Sequence, residues 1–285
     1  MEWILPAIIA VVLASISRVI QKWIFVGSQI SSEVSSTIYQ LFTGVIILIF
    51  AIINGLDFSG FSSIAGNLVL TALLYAGMNY FLFKSFKQSE ASIVTILFST
   101  NAVWMLFGSA VFLNESITLA KLVGVALIIG VTVLISSESG KLKIDKKLVY
   151  PLLAALLLGL AFVNDAYILN SVELLTYLSV AFLLPGFTLL LSLIPAKKFK
   201  EIAKLTRMDL FKNLLLSVIY AASTVLVFYS YKIGADASVV GPLQQLSVFG
   251  TVILSYILLK ERKNVAKKAL ATILAIAGGI ILTIS

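Results

Sequence analysis

Two charged residues lie inside long apolar stretches, where charge is uncommon. Arg18 follows "AIIAVVLASIS", and Asp165 lies in "AFVNDAYILN". A guanidinium can hold a carboxylate through two parallel hydrogen bonds, and a carboxylate can exchange a proton or bind an amine. Simpler explanations are an arginine that extends to the aqueous interface and a solvated carboxylate at a helix end. Arg18 and Asp165 could also bracket an amino acid together or pair with each other.

Neutral polar and aromatic residues recur in several of the other apolar stretches. Together they would suit a polar cavity, although each alone also suits a helix–helix hydrogen bond. The candidate substrate- or ion-binding residues are Arg18, Asn79, Tyr80, Asn101, Trp104, Asn164, Asp165, Tyr167, Tyr220, Thr224, Gln244 and Gln245.

The composition excludes most soluble classes of protein. The 285 residues are 60% hydrophobic and 12% charged, whereas folded soluble domains carry about 25% charged residues. The net charge of +8 is typical of the basic cytoplasmic loops of membrane proteins, and it does not indicate nucleic-acid binding. We therefore expect an integral membrane protein in a lipid bilayer.

The residue types also limit the chemistry. The chain has neither cysteine nor histidine, which removes disulfides, thiol chemistry, histidine acid–base catalysis and most transition-metal sites. An intramembrane enzyme would need an aspartyl pair or a Ser–Lys arrangement, and Asp165 offers no such pair. The sequence contains no nucleotide-binding G-x-x-x-x-G-K-[ST] motif, so ATP is not the direct energy source. We expect no enzymatic activity, no cofactor and no metal site.

Apolar runs of about 20 residues, long enough to cross a bilayer as helices, recur along the whole chain. The first lacks a basic leader and a cleavage site, so we expect it to be retained. The ten predicted spans are 3–26, 33–54, 64–87, 90–113, 118–136, 147–169, 172–194, 210–233, 236–260 and 265–284. Segment 195–212 has amphipathic spacing among lysines and could lie along the membrane surface.

The positive charges predict the orientation. With ten spans, every Lys and Arg except Lys121 and Lys232 falls on one side. The positive-inside rule makes that side cytoplasmic. We therefore predict a multi-pass protein of the cell membrane with both termini outside.

One short element is written twice. "EASIV" begins at Glu90 and "DASVV" begins at Asp236, and the same interval separates Glu115 in "LNES" from Glu261 in "LKER". Because five spans separate the copies, they must cross the membrane in opposite senses. We predict two inverted repeats of five helices, residues 1–140 and 141–285, an arrangement typical of secondary transporters. Duplication without alternation, as in some channels or scaffolds, is the other interpretation. The acids Glu90 and Asp236 are expected to stabilise helix N-termini.

The stretch "ALLYAGMNYFLFKSFKQSEASIVTILFSTNAVWMLFGSAVFLNESITLAKLVGVALIIGVTVL" and its weaker echo in 219–284 resemble the EamA-type drug/metabolite transporter superfamily. The resemblance covers essentially all ten spans. Members typically have Ala-Ser after the third span of each half, a proline in the fourth, and Leu-x-x-Glu before a Gly-rich fifth. Asn101 and Ser247 occupy the two proline positions here, and Pro242 lies earlier, so this chain departs from the pattern where a proline would kink the helix.

The resemblance implies two five-helix halves with a central cavity lined by the first four helices of each half. It implies a secondary transporter for a small-molecule substrate, for which we favour export of an amino acid or a similar amphipathic solute. A sugar or drug/cation transporter of the same fold is the alternative, as is a channel or scaffold subunit. Glycines in spans 5 and 10 suit close helix packing, either within the chain or across a homodimer; they are Gly124, Gly130, Gly278 and Gly279.

Overall fold

The computed structural model describes residues 2–114, 116–138, 141–142, 146–233 and 237–284. Within these ranges the chain is a bundle of α-helices with one 3₁₀ turn, Phe61–Ile64, and one pair of two-residue strands. The helices are α1 (Ile4–Trp23), α2 (Ser32–Asn54), α3 (Ala65–Gln88), α4 (Ala91–Phe98), α5 (Asn101–Phe112), α6 (Leu119–Ser136), α7 (Lys146–Ile168), α8 (Leu174–Ser192), α9 (Phe199–Ile202), α10 (Arg207–Lys232), α11 (Ala237–Leu258) and α12 (Val265–Ile284). The strands β1 (Ser137–Glu138) and β2 (Lys141–Leu142) pair antiparallel between α6 and α7.

The predicted all-α membrane fold is confirmed. Among the described residues, eight helical segments are long and apolar enough to cross a membrane, and two shorter apolar helices, Leu119–Ile135 and Leu243–Leu258, complete the ten. The predicted span 90–113 is divided into α4 and α5. The amphipathic segment is a single short turn, α9, followed by the start of α10 at Arg207.

Local sequence explains where α2 begins and ends. The side chain of Ser31 accepts a hydrogen bond from the backbone N–H of Val34, which satisfies one of the free donors of the first turn. At the other end Gly55 adopts φ +90°, a conformation that residues with a Cβ rarely adopt. These two signals position the helix that supplies Tyr39 and Gln40.

One end of the bundle, called here the basic end, is where α1, α3 and α8 finish and α2, α4 and α10 begin. Lysine side chains join the neighbouring helix ends there: Lys22 Nζ donates to the carbonyl of Phe86 at 2.9 Å, and Lys198 pairs with Glu33 at 2.7 Å. Lys22 thus satisfies a carbonyl that α3 leaves unpaired at its C-terminus, and Lys198 neutralises an acid in the first turn of α2.

Apolar packing closes the bundle towards the basic end. Phe83 is fully buried, with its ring centroid 5.2 Å from that of Tyr39 and 6.4 Å from that of Phe25. The cluster, called here the apolar plug, consists of Ile20, Ile24, Ile30, Val34, Ile38, Tyr39, Phe83, Leu193 and Leu216. It draws on α1, α2, α3 and α10 as well as the segments beside them, so both halves of the chain contribute.

The repeated stretch "EASIV" is held by the other half of the chain. Glu90 is the N-cap residue of α4, but its side chain does not cap the helix and instead pairs with Lys268 at 2.5 Å. The cap is Glu261, whose carboxylate accepts the N–H of Ala91 at 2.6 Å and both the N–H and hydroxyl of Ser92, at 3.0 and 2.6 Å. Glu90 thus lies at the N-terminus of α4, where its stabilising effect through the helix dipole stays a prediction, while the hydrogen-bonding cap comes from Glu261. Asp236, the predicted counterpart of Glu90, and Glu115, the predicted counterpart of Glu261, lie outside the described residues.

The predicted glycine contacts lie mostly inside the chain. A Cβ on Gly124 would meet the carbonyl of Gly278 at 2.9 Å, which shows how closely α6 and α12 pack. Gly279 packs against Gln245, whereas no heavy atom outside its own helix surrounds the Cβ position of Gly130 within 4 Å. The homodimer remains a prediction, and three of these four glycines serve packing within one chain.

Candidate functional site

A cavity with two neighbouring lobes lies within the bundle. The first lobe, about 200 Å³, is lined by α1, α2, α3, α4, α7, α8 and α10. The second lobe, about 240 Å³, is lined by α1, α4, α5, α7, α10 and α11. The lobes share six lining residues, Arg18, Phe98, Leu158, Phe162, Tyr220 and Thr224. The two halves of the chain therefore build one composite cavity.

Arg18 lies at the junction of the two lobes. Its guanidinium donates one hydrogen bond to Gln21 Oε1 at 3.2 Å, and its Cζ atom lies 4.8 Å from the centre of the Phe98 ring. A guanidinium has five N–H donors, and these contacts leave it able to bind a carboxylate in two-point fashion.

Asp165 lines the first lobe and is held by two tyrosines. Tyr75 donates its hydroxyl to Oδ2 and Tyr177 donates to Oδ1, each at 2.5 Å. Both carboxylate oxygens thus have a donor. A partly buried carboxylate is costly in a membrane unless it is paired in this way.

The hydrogen-bond chain continues from Tyr177 away from the cavity. The Tyr177 and Thr71 hydroxyls lie 3.3 Å apart, and Asn164 Nδ2 donates to Thr71 Oγ1 at 2.8 Å. Asn67 Nδ2 then donates to Asn164 Oδ1 at 2.8 Å. Asn67 lies in the first turn of α3, so polar side chains connect Asp165 with the end of the bundle opposite the basic end.

Arg18 and Asp165 lie at different depths. Arg18 is five residues from the last residue of α1, at the basic end, whereas Asp165 is three residues from the last residue of α7, at the opposite end. At 1.5 Å per residue their backbones are roughly 20 Å apart along the bundle. Within the described residues the two side chains form no ion pair. Both side chains nevertheless line the first lobe, so the hypothesis that the two residues bracket one substrate stays a prediction.

The second lobe is lined by hydroxyl and amide groups whose donors are mostly in use. Each bonds to a backbone carbonyl at 2.7–2.8 Å: Ser17 to Ala14, Ser99 to Ile96, Asn101 to Phe98, and Ser223 to Ala10. Their oxygen atoms keep unused acceptor capacity. The lobe is consequently rich in acceptors and carries no negative charge.

A helix break lies beside this lobe. At Ser99–Thr100 the backbone hydrogen bonds span three residues instead of four. Thr100 N donates to the carbonyl of Leu97 at 3.1 Å, and Val103 N donates to that of Thr100 at 3.0 Å. The break forms without proline, although the resemblance implies a proline at the position of Asn101. Gly159 of α7 admits the turn, because a Cβ there would meet the Asn101 carbonyl at 2.7 Å. In contrast α11, with Ser247 at the corresponding position, is continuous.

The structure brings eight of the twelve candidate residues to the cavity. These are Arg18, Asn79, Asn101, Asp165, Tyr220, Thr224, Gln244 and Gln245. The other four lie elsewhere. Tyr80 accepts a hydrogen bond from Lys84, and Trp104 packs against Gly159 with 40% of its surface exposed.

Asn164 and Tyr167, the other two, line a separate side pocket between α3, α5 and α7. Asn164 still reaches the site indirectly, through the chain of hydrogen bonds that ends at Asp165. Its neighbour Tyr167 has 53% of its surface exposed.

Several cavity residues were not among the candidates. Gln21 lies one turn after Arg18, and Tyr75 lies one turn before Asn79, so helical spacing from a recognised residue could have indicated both. Gln40, which accepts a hydrogen bond from Asn79 at 2.9 Å, is a polar residue within an apolar run and carried the same signal. The Tyr177 contact with Asp165 has no such local signal, because it depends on how α7 and α8 both pack against α3.

Comparison with known proteins gives a consistent result. The model of a family described as "EamA-like transporter family" matches residues 1–137 and again residues 146–285. A solved structure titled only "Crystal structure of protein" has a TM-score of 0.60 and 16% sequence identity, covering 98% of this chain and 96% of that chain. At this identity the likeness shows the fold alone. No curated protein matches the chain.

Proposed function

The chain belongs to the EamA-like transporter family, and we propose that it is a secondary transporter that exports a small amphipathic metabolite, such as an amino acid. The observation that carries this proposal is the two-lobed cavity, which both halves line and which contains the guanidinium of Arg18. The chain is a multi-pass membrane protein of two inverted five-helix repeats. Such repeats supply two near-equivalent packings, which is the basis of alternating access.

The apolar plug supports a definite state in this cycle. Tyr39 belongs both to the plug and to the lining of the first lobe, so the plug lies directly between the cavity and the basic end. We assign the basic end to the cytoplasm of the cell, from the positive-inside rule, and both termini to the outside. The cavity is then closed towards the cytoplasm in this structure.

Arg18 and Asp165 have separate roles in the proposed cycle. Arg18 binds the substrate carboxylate at the junction of the lobes. Asp165 exchanges a proton, because its carboxylate is held by Tyr75 and Tyr177 and connected by hydrogen bonds towards Asn67 at the outer end. Arg18 belongs to α1 and Asp165 to α7, and both helices line the cavity. A movement of these helices would couple proton entry at Asp165 to substrate exit.

One observation favours a second candidate, the transport of an organic cation. Aromatic rings line the first lobe together with Asp165, and rings of this kind attract cations. They belong to Tyr39, Tyr75, Phe98, Phe162, Phe182, Tyr220 and Phe228. An organic cation would use Asp165 as its counter-ion and would leave Arg18 without a partner, so the two candidates differ in which charge they need.

Transport in proteoliposomes tests the proposal. Internal unlabelled amino acid should accelerate entry of labelled amino acid, as expected of a carrier and not of a channel. The substitution Asp165→Asn should abolish accumulation driven by a pH gradient and leave this exchange intact, because only net coupled movement requires the proton.

The matched control is Asp57→Asn, which changes a fully exposed carboxylate in the loop between α2 and α3. It should leave both activities unchanged. Gradient-driven accumulation that survives in Asp165→Asn would overturn the coupling role, and the absence of exchange in the unsubstituted protein would overturn carrier function for these solutes.

A further inference from the structure

We propose that residues 197–212, called here the lysine segment, form a docking site for the headgroup of an anionic phospholipid of the cytoplasmic leaflet. The segment follows α8 at the basic end, contains α9 and includes the first turns of α10. This inference uses the orientation assigned above but not the transport function, because lipid binding does not require a transported solute.

The lysine segment carries positive charge that the protein leaves unpaired. It contains six basic and two acidic residues. At the same end of the bundle Lys22 and Lys87 donate to backbone carbonyls. In the segment, four basic side chains are exposed and form no hydrogen bond or ion pair within the described residues, namely Lys197, Lys200, Lys204 and Arg207. These cations are therefore available to an anionic partner, and the cytoplasmic leaflet carries anionic lipids.

Large apolar side chains lie among these cations. Phe199, Met208 and Phe211 have 52%, 55% and 53% of their surface exposed. Cations beside an exposed apolar surface are typical of a segment at the membrane interface, where the charges meet headgroups and the apolar groups meet acyl chains. A soluble anion would use the cations alone, so the apolar neighbours favour a lipid.

A pocket of about 300 Å³ lies between the lysine segment and the loop that joins α1 to α2. Lys204 lines it together with two acids, Glu201 and Asp209. The Asp209 carboxylate already accepts hydrogen bonds from Ser28 and Thr206. A headgroup with a phosphate and hydroxyl groups suits this lining, because its phosphate pairs with Lys204 and a hydroxyl can donate to Glu201. The pocket thus gives the headgroup a defined place beside the unpaired cations.

Contacts with the rest of the bundle hold the lysine segment in place. Ile202 and Leu205 pack against the apolar plug, and Lys198 pairs with Glu33 at 2.7 Å. Ordering a flexible loop on binding would weaken affinity, and a segment that is already held avoids that loss. A lipid bound here lies next to the closure of the cavity towards the basic end.

Thermal unfolding of the purified protein in detergent micelles tests the site. Phosphatidylglycerol should raise the unfolding temperature at concentrations where phosphatidylcholine does not, because only the former carries a net negative charge. Inorganic phosphate at the same concentration should have no effect, since it lacks acyl chains. Added salt should weaken the response to phosphatidylglycerol, because it screens charges near the surface.

Paired substitutions then locate the response. Lys200→Gln combined with Lys204→Gln should raise the phosphatidylglycerol concentration for half-maximal stabilisation at least about tenfold, as expected for the loss of two lysines near an anionic headgroup. The matched control is Lys260→Gln combined with Lys263→Gln, which removes the same charge from exposed positions between α11 and α12. The control should keep the response, and unfolding without lipid checks that both variants fold.

Four results would overturn the site. They are the absence of stabilisation by phosphatidylglycerol, equal stabilisation by phosphatidylcholine, equal stabilisation by inorganic phosphate, and an equal loss in the two double variants. The last would attribute the response to the total charge of the basic end. Exchange of labelled solute is a separate measurement, so each of these results leaves the proposed transport function standing.

Discussion

Arg18 differs from the other basic side chains of the chain in its surroundings. Lys22 and Lys198 lie at the basic end, where Lys22 bonds to a helix carbonyl and Lys198 pairs with an acidic residue. Arg18 instead lies over the Phe98 ring and reaches both lobes of the cavity. An aromatic platform fixes the planar guanidinium without using its hydrogen-bond donors, which leaves them for a ligand.

Substitution of Arg18 should weaken substrate binding more than it weakens folding. Arg18→Gln is expected to raise the half-saturating substrate concentration about 10- to 100-fold, because hydrogen bonds to a charged group contribute roughly 1.5–3 kcal/mol. Arg18→Lys should fall in between, since an ammonium lacks the two-point geometry. The measurement is exchange in proteoliposomes over a range of substrate concentrations.

The control for Arg18 is Lys84→Gln. Lys84 lies 4.7 Å from the centre of the Tyr150 ring and donates to Tyr80, so it is a cation on aromatic rings that does not line the cavity. If both substitutions raised the half-saturating substrate concentration equally, the total positive charge of the protein would matter, and the position of Arg18 in the cavity would not.

At the residue scale, sequence predicts what is unusual within one helix and not what meets it across the bundle. Arg18 and Asp165 stand out because charge is costly in an apolar span. The two tyrosines on Asp165 come from other helices, with Tyr75 ninety residues away in sequence, and no local pattern links them to it. Trp104 and Tyr80 were reasonable candidates by type, but the faces they occupy are decided by packing against Gly159 and Lys84.

Two glutamates cap helices in the same way but in different surroundings. Glu261 accepts three hydrogen bonds at the start of α4 and is 8% exposed. Glu173 accepts three at the start of α8, from Leu175 and Thr176. Partial burial works to raise the pKa of Glu173, but these hydrogen bonds outweigh it and hold that pKa below its usual range.

The buried cap should contribute more to stability than the accessible one. Glu261→Gln is expected to cost about 1–3 kcal/mol, because one donor loses its charged acceptor where water does not replace it. Glu173→Gln should cost less than about 1 kcal/mol, since water reaches that cap. Thermal unfolding of the purified protein measures the difference, and a larger loss in Glu173→Gln would contradict the role assigned to burial.

The helix break between α4 and α5 predicts where the chain tolerates a proline. Asn101→Pro should change stability by no more than about 1 kcal/mol, because Asn101 is the first residue of α5 and proline is accepted there. Ser247→Pro should cost about 3 kcal/mol or more, because Ser247 lies inside the continuous helix α11. Comparison of folded yield and thermal unfolding tests the order of the two.

Asn101→Pro and Ser247→Pro serve as controls for each other, because the two residues occupy corresponding positions in the two repeats. If Ser247→Pro were tolerated as well as Asn101→Pro, then α11 would also accept a break in the folded state. The sequence alone did not predict the break at Ser99–Thr100, because the expected proline is absent. Side-chain bonds from Ser99, Thr100 and Asn101 to the carbonyls of the preceding turn produce it instead.

At the scale of the whole molecule, the ten apolar runs were sufficient to predict ten membrane spans, since the length and composition of each run indicate a span without reference to the others. The cavity required information that no run contains. It forms where residues from both halves meet, and the seam between those halves depends on contacts such as that of Glu261 with Ser92. The repeated sequence indicated that two halves exist. The structure adds that Glu261 of the second half caps α4 of the first.

The orientation of the molecule in the membrane is the last prediction. Because the chain has no cysteine, a single introduced cysteine reports its side without background labelling. Ala203→Cys lies on an exposed position between α9 and α10 at the basic end, and Ser59→Cys lies on an exposed position at the opposite end.

In intact cells an impermeant thiol reagent should label Ser59→Cys and spare Ala203→Cys, and permeabilisation should expose both. The physical reason is that lysine-rich loops remain on the cytoplasmic side, and here they coincide with the end that the apolar plug closes. The reverse labelling pattern would place the plug at the outer surface. The same cavity would then be closed towards the outside, and Asp165 would face the cytoplasmic proton pool instead of the external one.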